Sequence, residues 1–164
     1  MKPQSVIAIY PGSFDPVTNG HVDIIQRSLE VFDTVIPAIL INADKTACFT
    51  PEERLAMLRD AVRGLKGRVE PIHFSGLLVD AARRHGATVI IRGIRAVSDY
   101  EYELQMALMN RKLAPEIETL FLVPAFKYSF LSSRLVKEVY TRGGSMKDLV
   151  PELVDTMMLK KLGR

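Results

Sequence analysis

The segment Tyr10-Pro11-Gly12-Ser13-Phe14-Asp15-Pro16-Val17-Thr18-Asn19-Gly20-His21 joins an apolar run, Val6 to Ile9, to a stretch with helical periodicity. It therefore puts a glycine and a histidine in the first turn of a helix. The first N–H groups of a helix lack intrahelical partners and carry the positive end of its dipole, which suits phosphate. A histidine there directs a proton at the same anion, so the chemistry indicated is that of nucleotide phosphates. Other polar groups also follow predicted strands: Asn42, Asp44 and Lys45; then Arg92-Gly93-Ile94-Arg95; then the run from Tyr128 to Ser133, which leads into a helix. His21, Lys45, Arg92, Arg95 and a serine-capped helix start describe a cation-rich receptacle for a triphosphate and a second phosphate. Arg134 and Lys137 stand in the first turns of that last helix, where the dipole favours acids. An anion bound at Ser132 and Ser133 would offset the conflict.

Plainer readings stand beside these. Arg92 and Arg95 have Asp99 and Glu103 to pair with, Ser132 and Ser133 suit helix caps, and Lys45 alone is a solvated loop lysine. His21 could equally be a capping residue. His73 and His85 read as structural or solvated, Cys48 as incidental, and Met106, Met109, Met157 and Met158 as core or subunit contacts.

The elements that must hold the reactive residues alternate along the chain. Strands are expected at Val6–Tyr10, Val35–Ile41, Arg68–Phe74, Thr88–Arg92 and Thr119–Val123, mostly near-continuous apolar runs. Such runs belong to parallel strands covered on both faces. Pro37 cannot donate to a ladder, so the second strand is expected to begin after it or to carry a bulge. Apolar stripes (Val22, Ile25, Leu29, Phe32; then Leu55, Leu58, Val62, Leu65) mark two helices, the second opened by Thr50-Pro51-Glu52-Glu53. A third ends at Gly86, a fourth runs from about Ser98 to Leu113, a fifth from Ser132 to about Tyr140, and a sixth follows Pro151. The expected fold class is α/β: a doubly wound, five-stranded parallel sheet with C-terminal helices. Ligands of such sheets sit beyond the strands' carboxyl ends, where the strand order reverses.

At 164 residues the chain is read as a single domain, 1–164, able to bury a core. A net charge of +3, with basic residues scattered, gives no nucleic-acid footprint. The longest apolar run, Val35 to Ile41, is too short to span a bilayer, and no signal peptide is visible at the N-terminus. One cysteine excludes an internal disulfide, and the expected location is the cytoplasm. The histidines and Cys48 lack metal-ligand spacing, so no protein metal site is expected. There is no G-x-x-x-x-G-K-[ST] loop, no G-x-G-x-x-G, and no motif marking a nucleophile. What remains is a site that positions and neutralises two phosphorylated molecules for in-line displacement at phosphorus.

Gly12-Ser13-Phe14-Asp15-Pro16 followed by Thr18-Asn19-Gly20-His21 resembles the T/HxGH signature of the nucleotidylyltransferase superfamily. With Ile91-Arg92-Gly93-Ile94-Arg95 through Asp99-Tyr100-Glu101-Tyr102-Glu103, and with Leu131-Ser132-Ser133-Arg134-Leu135-Val136-Lys137-Glu138, the chain from about 6 to 160 is similar to the bacterial phosphopantetheine adenylyltransferases. The resemblance implies a Rossmann-like fold and transfer of the adenylyl group of ATP to 4′-phosphopantetheine, giving dephospho-CoA and pyrophosphate, with Mg2+ and no covalent intermediate. It implies that His21, Lys45 and Arg92 are catalytic, His21 stabilising the α-phosphate. Ser13, Phe14, His21, Gly93, Ile94, Arg95, Glu103 and the run Tyr128, Ser129, Phe130, Leu131, Ser132, Ser133, Arg134 would bind ATP. Ser13, Lys45, Leu78 and Arg92 would bind the acceptor. It further implies a homohexamer, of a family often inhibited by coenzyme A; the scattered charge and short apolar run above add no nucleic-acid or membrane partner. Many relatives carry serine or threonine where this chain has Arg134, and threonine where it has Ser13. A relative with another acceptor, and a non-catalytic nucleotide-binding module, are the competing readings.

Overall fold

The computed structural model describes residues 5–41 and 47–162. Its first strand, β1 (Ile7–Gly12), lies centrally, flanked on one side by β2 (Thr34–Leu40) and on the other by β5 (Val89–Gly93). Beyond β2 come β3 (Arg68–Val69) and β4 (Ile72–Phe74); beyond β5 comes β6 (Glu118–Leu122). Every pairing is parallel. The order reverses at β1, whose chain passes to β2 on one side while β5 lies on the other, so a switch-point crevice opens between β1 and β5.

Six strands occupy five positions. β3 and β4 pair with β2 in one continuous register, Val35 with Val69 and then Ala38 with Ile72. That register sets Pro37 level with Pro71. Glu70 N–H donates to Val35 O and Ile41 N–H to Phe74 O, so the odd-numbered residues of β2 address this neighbour. Pro37 shares that parity and brings no donor for Glu70 O, whereas Pro71, between the even-numbered residues that face β2, points away from it. The ladder therefore breaks in the neighbour, at Glu70–Pro71. The expectation for Pro37 is corrected: β2 begins before it, at Thr34, and keeps an unshifted register with β1, Tyr10 opposite Pro37.

Alternation along the strands sorts two cores. Ala8, Tyr10, Val35, Ile39 and Ile91 face α1 (Asn19–Ser28), α2 (Pro51–Val62), α5 (Ser133–Thr141) and α6 (Glu152–Leu162). Ile9, Ile36, Ala38 and Ile90 face α3 (Leu78–Arg84) and the Ala114–Ile117 corner. The fourth helix, α4 (Val97–Leu113), buries only Asn110 and leaves Val97, Tyr102, Leu108 and Met109 exposed. Met158 is in the core and Met157 packs against it, whereas Met106 and Met109 are exposed. No helix among the described residues is long and apolar enough to cross a membrane.

Candidate active site

Gly12 and Gly93 end the two strands that flank the switch point, and a cavity of about 270 Å3 opens there. From the predicted set it is lined by Ser13 and His21 from the turn after β1, and by Arg92, Gly93 and Arg95 from the end of β5. Glu103 on α4 joins them, with Tyr128, Leu131, Ser132 and Ser133 from the approach to α5. Four separated stretches of chain thus meet, as the strand-end reading requires.

Thr18 caps α1 in a capping box whose third helical residue is His21. The Thr18 N–H donates to His21 Nδ1 at 3.0 Å, and Thr18 Oγ1 lies 2.9 Å from the same nitrogen. A nitrogen that accepts a backbone N–H carries no proton, so the neutral ring holds its proton on Nε2. Burial, and secondly the positive charge of Arg95, push the His21 pKa down to about 4. His21 is therefore a neutral donor into the cavity at ordinary pH. The capping reading holds and leaves the functional one open to the ring: the cap occupies Nδ1, and the proton-bearing Nε2 is not used by it.

Beneath the imidazole lies Phe14, 1% exposed, its ring 5.1 Å from that of His21 and 5.5 Å from that of Tyr10. Phe14 does not line the cavity. Its backbone takes φ 44°, a left-handed conformation that side chains other than glycine seldom adopt, held here by the packing around it. Gly12 is required by the same ring, since a Cβ there would come within 3.0 Å of Phe14 Cε2.

Across the cavity, Arg92 and Glu103 form a two-point ion pair, Nη2 to Oε1 at 2.7 Å and Nε to Oε2. Arg95 donates through Nη1 to Leu131 O at 2.9 Å and through Nε to Asp99 at 3.2 Å. The pairings with Asp99 and Glu103 exist, yet both arginines also line the cavity. Glu103 is held against Arg92 and reaches the cavity as that ion pair. Burial raises the Tyr10 hydroxyl far above its ordinary range, keeping it protonated beside Gly93.

Ser132 caps α5, its Oγ accepting from Leu135 N–H at 3.1 Å, while Ser133 Oγ donates to Pro16 O at 2.7 Å. With both hydroxyls engaged, the first N–H groups of α5 are the part chemically suited to an anion. The expected conflict at Lys137 is resolved within the protein: its Nζ lies 2.8 Å from Asp15 Oδ2, so no bound anion is needed to explain that residue. Arg134 is exposed and does not line the cavity, nor do Ile94, Ser129 and Phe130. Ile94 instead extends the ladder, donating to Leu122 O at 2.9 Å. Lys45 lies outside the described residues.

Leu78 lines a second cavity, also about 270 Å3, with Phe74, Leu77, Tyr102, Met106 and Asn110. Pro11 and Arg92 border both cavities. Sequence reasoning did not include this α3–α4 wall beyond Leu78, and it placed Tyr10 and Thr18 in the turn without assigning either a site role. The threonine three residues before His21 was the available signal for Thr18.

The cytidylyltransferase-like family profile matches residues 9–139. The phosphopantetheine adenylyltransferase of Alkaliphilus metalliredigens is 54% identical over 155 residues, covering 94% of this chain and 98% of that one. That of Dictyoglomus turgidum is 54% identical over 154 residues, covering 94% and 96%. In fold, the chain is similar to Plasmodium falciparum nicotinic acid mononucleotide adenylyltransferase complexed with NaAD, with TM-score 0.70, 15% identity and 96% of each chain covered. The chain belongs to the cytidylyltransferase-like family and, within it, to the phosphopantetheine adenylyltransferases.

Proposed function

We propose that the protein transfers the adenylyl group of ATP to 4′-phosphopantetheine in coenzyme A synthesis, with ATP in the switch-point cavity and the acceptor arm in the second. The observation carrying the reading is Arg92, whose guanidinium borders both cavities. A forked cation at that junction suits the acceptor phosphate, which must meet the α-phosphate. The mostly apolar second cavity, with Leu78 on its wall, suits the pantetheine chain.

In the reaction, an oxygen of the acceptor phosphate forms a bond to the α-phosphorus as the bond to the β-phosphate bridging oxygen breaks, and pyrophosphate leaves. No side chain needs to become a nucleophile. His21 Nε2–H donates to the α-phosphate, whose charge builds on its equatorial oxygens, and being neutral it needs no proton transfer. Arg92, with Lys45 assigned by resemblance, holds the acceptor phosphate. Arg95 and the head of α5 hold the remaining nucleotide phosphates, with Ser13 beside them. Arg92 exchanges Glu103 for phosphate when the acceptor arrives.

Magnesium would supply charge neutralisation of the triphosphate. The described residues form no cage for it: they contain no cluster of three acidic, histidine or cysteine ligands, and the cavity carboxylate, Glu103, is engaged by Arg92. Phosphate oxygens and water suit its octahedral demand. Coenzyme A, which shares both halves of the product, would compete for the same pair of cavities as an inhibitor. The cytoplasm and a homohexameric assembly complete the proposal, the latter supported by the apolar exposure of α4.

The test is an acceptor and nucleotide panel with pyrophosphate detection. ATP with 4′-phosphopantetheine is expected to give dephospho-CoA. Turnover only with nicotinamide mononucleotide or with CTP would replace the substrate assignment, and ATP binding without any turnover would leave a binding module.

A further inference from the structure

Among the described residues, two charged side chains are buried outside the reacting cavity, and both fasten the turn between β1 and α1. Asp15 is 4% exposed and Arg54 5% exposed. Arg54 donates through Nη1 to Ser13 O at 2.9 Å, and its Nε has no partner among the described residues. Asp15 is saturated instead. It accepts from Cys48 N–H at 2.9 Å, from Phe49 N–H at 2.9 Å and from Lys137 Nζ at 2.8 Å.

Neither Asp15 nor Lys137 lines the cavity, yet each stands next to a residue that does or that supports one. Asp15 follows Phe14, the strained residue under the His21 ring, and precedes Pro16, whose carbonyl takes the Ser133 hydroxyl. Lys137 lies one turn into α5 from Ser132 and Ser133, which line the opposite wall. The ion pair thus spans the two walls between which the triphosphate would lie. The pair is buried at Asp15 and partly exposed at Lys137; such pairs are a poor source of stability compared with apolar packing, which leaves a role in fixing geometry to be considered.

We propose that Asp15 is a positioning residue for adenylyl transfer, holding the His21 turn and the head of α5 at a fixed separation through Lys137 and the 48–49 backbone. This inference rests on the adenylyl-transfer reading above. The groups that face the carboxylate are Lys137 from α5 and, from the segment entering α2, the Cys48 thiol and Glu53, each of which feels its charge. Burial would raise the Asp15 carboxyl, but the Lys137 hydrogen bond, then those of Cys48 and Phe49, outweigh it and hold it below its ordinary value. Removing Lys137 leaves burial less opposed, so the carboxyl of a Lys137→Met variant protonates at higher pH.

The experiment measures kcat, KM and thermal unfolding for the wild type, Asp15→Asn, Lys137→Met and the double variant. Assays run well below each melting temperature, so that only folded protein is compared. Both single variants are expected to lose at least tenfold in kcat, with a smaller change in KM for ATP. The double variant is expected to lose no more than the worse single one. Lys137→Met should also acquire a fall in kcat on the acid side that the wild type and the double variant lack at the same pH. Unchanged kcat in the folded single variants, or losses that multiply in the double, would overturn the inference. A purely structural role would lower the melting temperature alone, without the altered pH profile. Should Asp15→Asn fail to fold, Lys137→Met, at the more exposed end, carries the same readings. Turnover of the wild type is measured first: without it the functional reading falls, whereas an active wild type with indifferent variants sinks only the positioning role.

Discussion

His21 shows how a capping interaction sets chemistry. The Thr18 N–H takes Nδ1, so the proton sits on Nε2 and the ring donates without being charged. With its pKa at about 4, kcat should show no inflection near pH 6.5 from this residue. His21→Ala should lower kcat about 10²–10³-fold while ATP binding weakens far less, because the contact strengthens as charge builds on the α-phosphate. Steady-state kinetics with a direct ATP titration would show it, and equal losses in both would remove the role. The same shift bears on stability. The unfolded histidine titrates near 6.5 and the folded one near 4, so between these values the unfolded chain binds more protons. Stability from this group is complete above pH 6.5 and drains away as pH falls toward 4, by on the order of 2–3 kcal/mol. Urea denaturation at pH 7 and pH 4.5 should show a smaller pH difference for His21→Gln than for the wild type. Identical differences would mean that another group carries the acid sensitivity.

Among the elements, the head of α5 joins the fold to the site. The Ser132 cap satisfies Leu135 N–H and aims the first turn at the cavity. Ser132→Ala should cost about 1 kcal/mol of stability and raise KM for ATP, since the uncapped turn frays where the phosphates would bind. A lower melting temperature with unchanged KM would make the cap structural only. Such local features were well expressed in the sequence: strand periodicity, the caps at Thr50 and Ser132, and the arginines at the end of β5 all lie where spacing put them. What spacing alone did not yield are pairings between distant residues. Lys137 looked misplaced because its partner, Asp15, is 122 positions away. The Glu70–Pro71 break became legible only once register set Pro71 beside Pro37. The α3–α4 wall of the second cavity combines Leu77 with Met106 and Asn110, which no local pattern links.

At the scale of the whole molecule, the apolar surface of α4 is the feature the single chain leaves unexplained. Val97 is 86% exposed, and Leu108 and Met109 are each 55% exposed. For side chains this apolar and this exposed, a second copy of the chain is the occupant that the resemblance implies. Tyr102, Met106 and Met109 on this helix also line the second cavity. Association would therefore brace the wall against which the acceptor arm is proposed to lie. Leu108 lies on α4 but does not line that cavity, so its substitution tests association without touching the acceptor. Leu108→Glu places a charge on the exposed apolar face that association would bury, and should shift the protein toward smaller species in sedimentation velocity at micromolar concentration. In a dissociated form α4 would lose its outer support, so KM for phosphopantetheine should rise several-fold while affinity for ATP, proposed to lie on the β1–α5 side, stays within about twofold. A wild type that sediments as a monomer would remove the association. A variant that dissociates yet keeps its acceptor KM would separate assembly from catalysis.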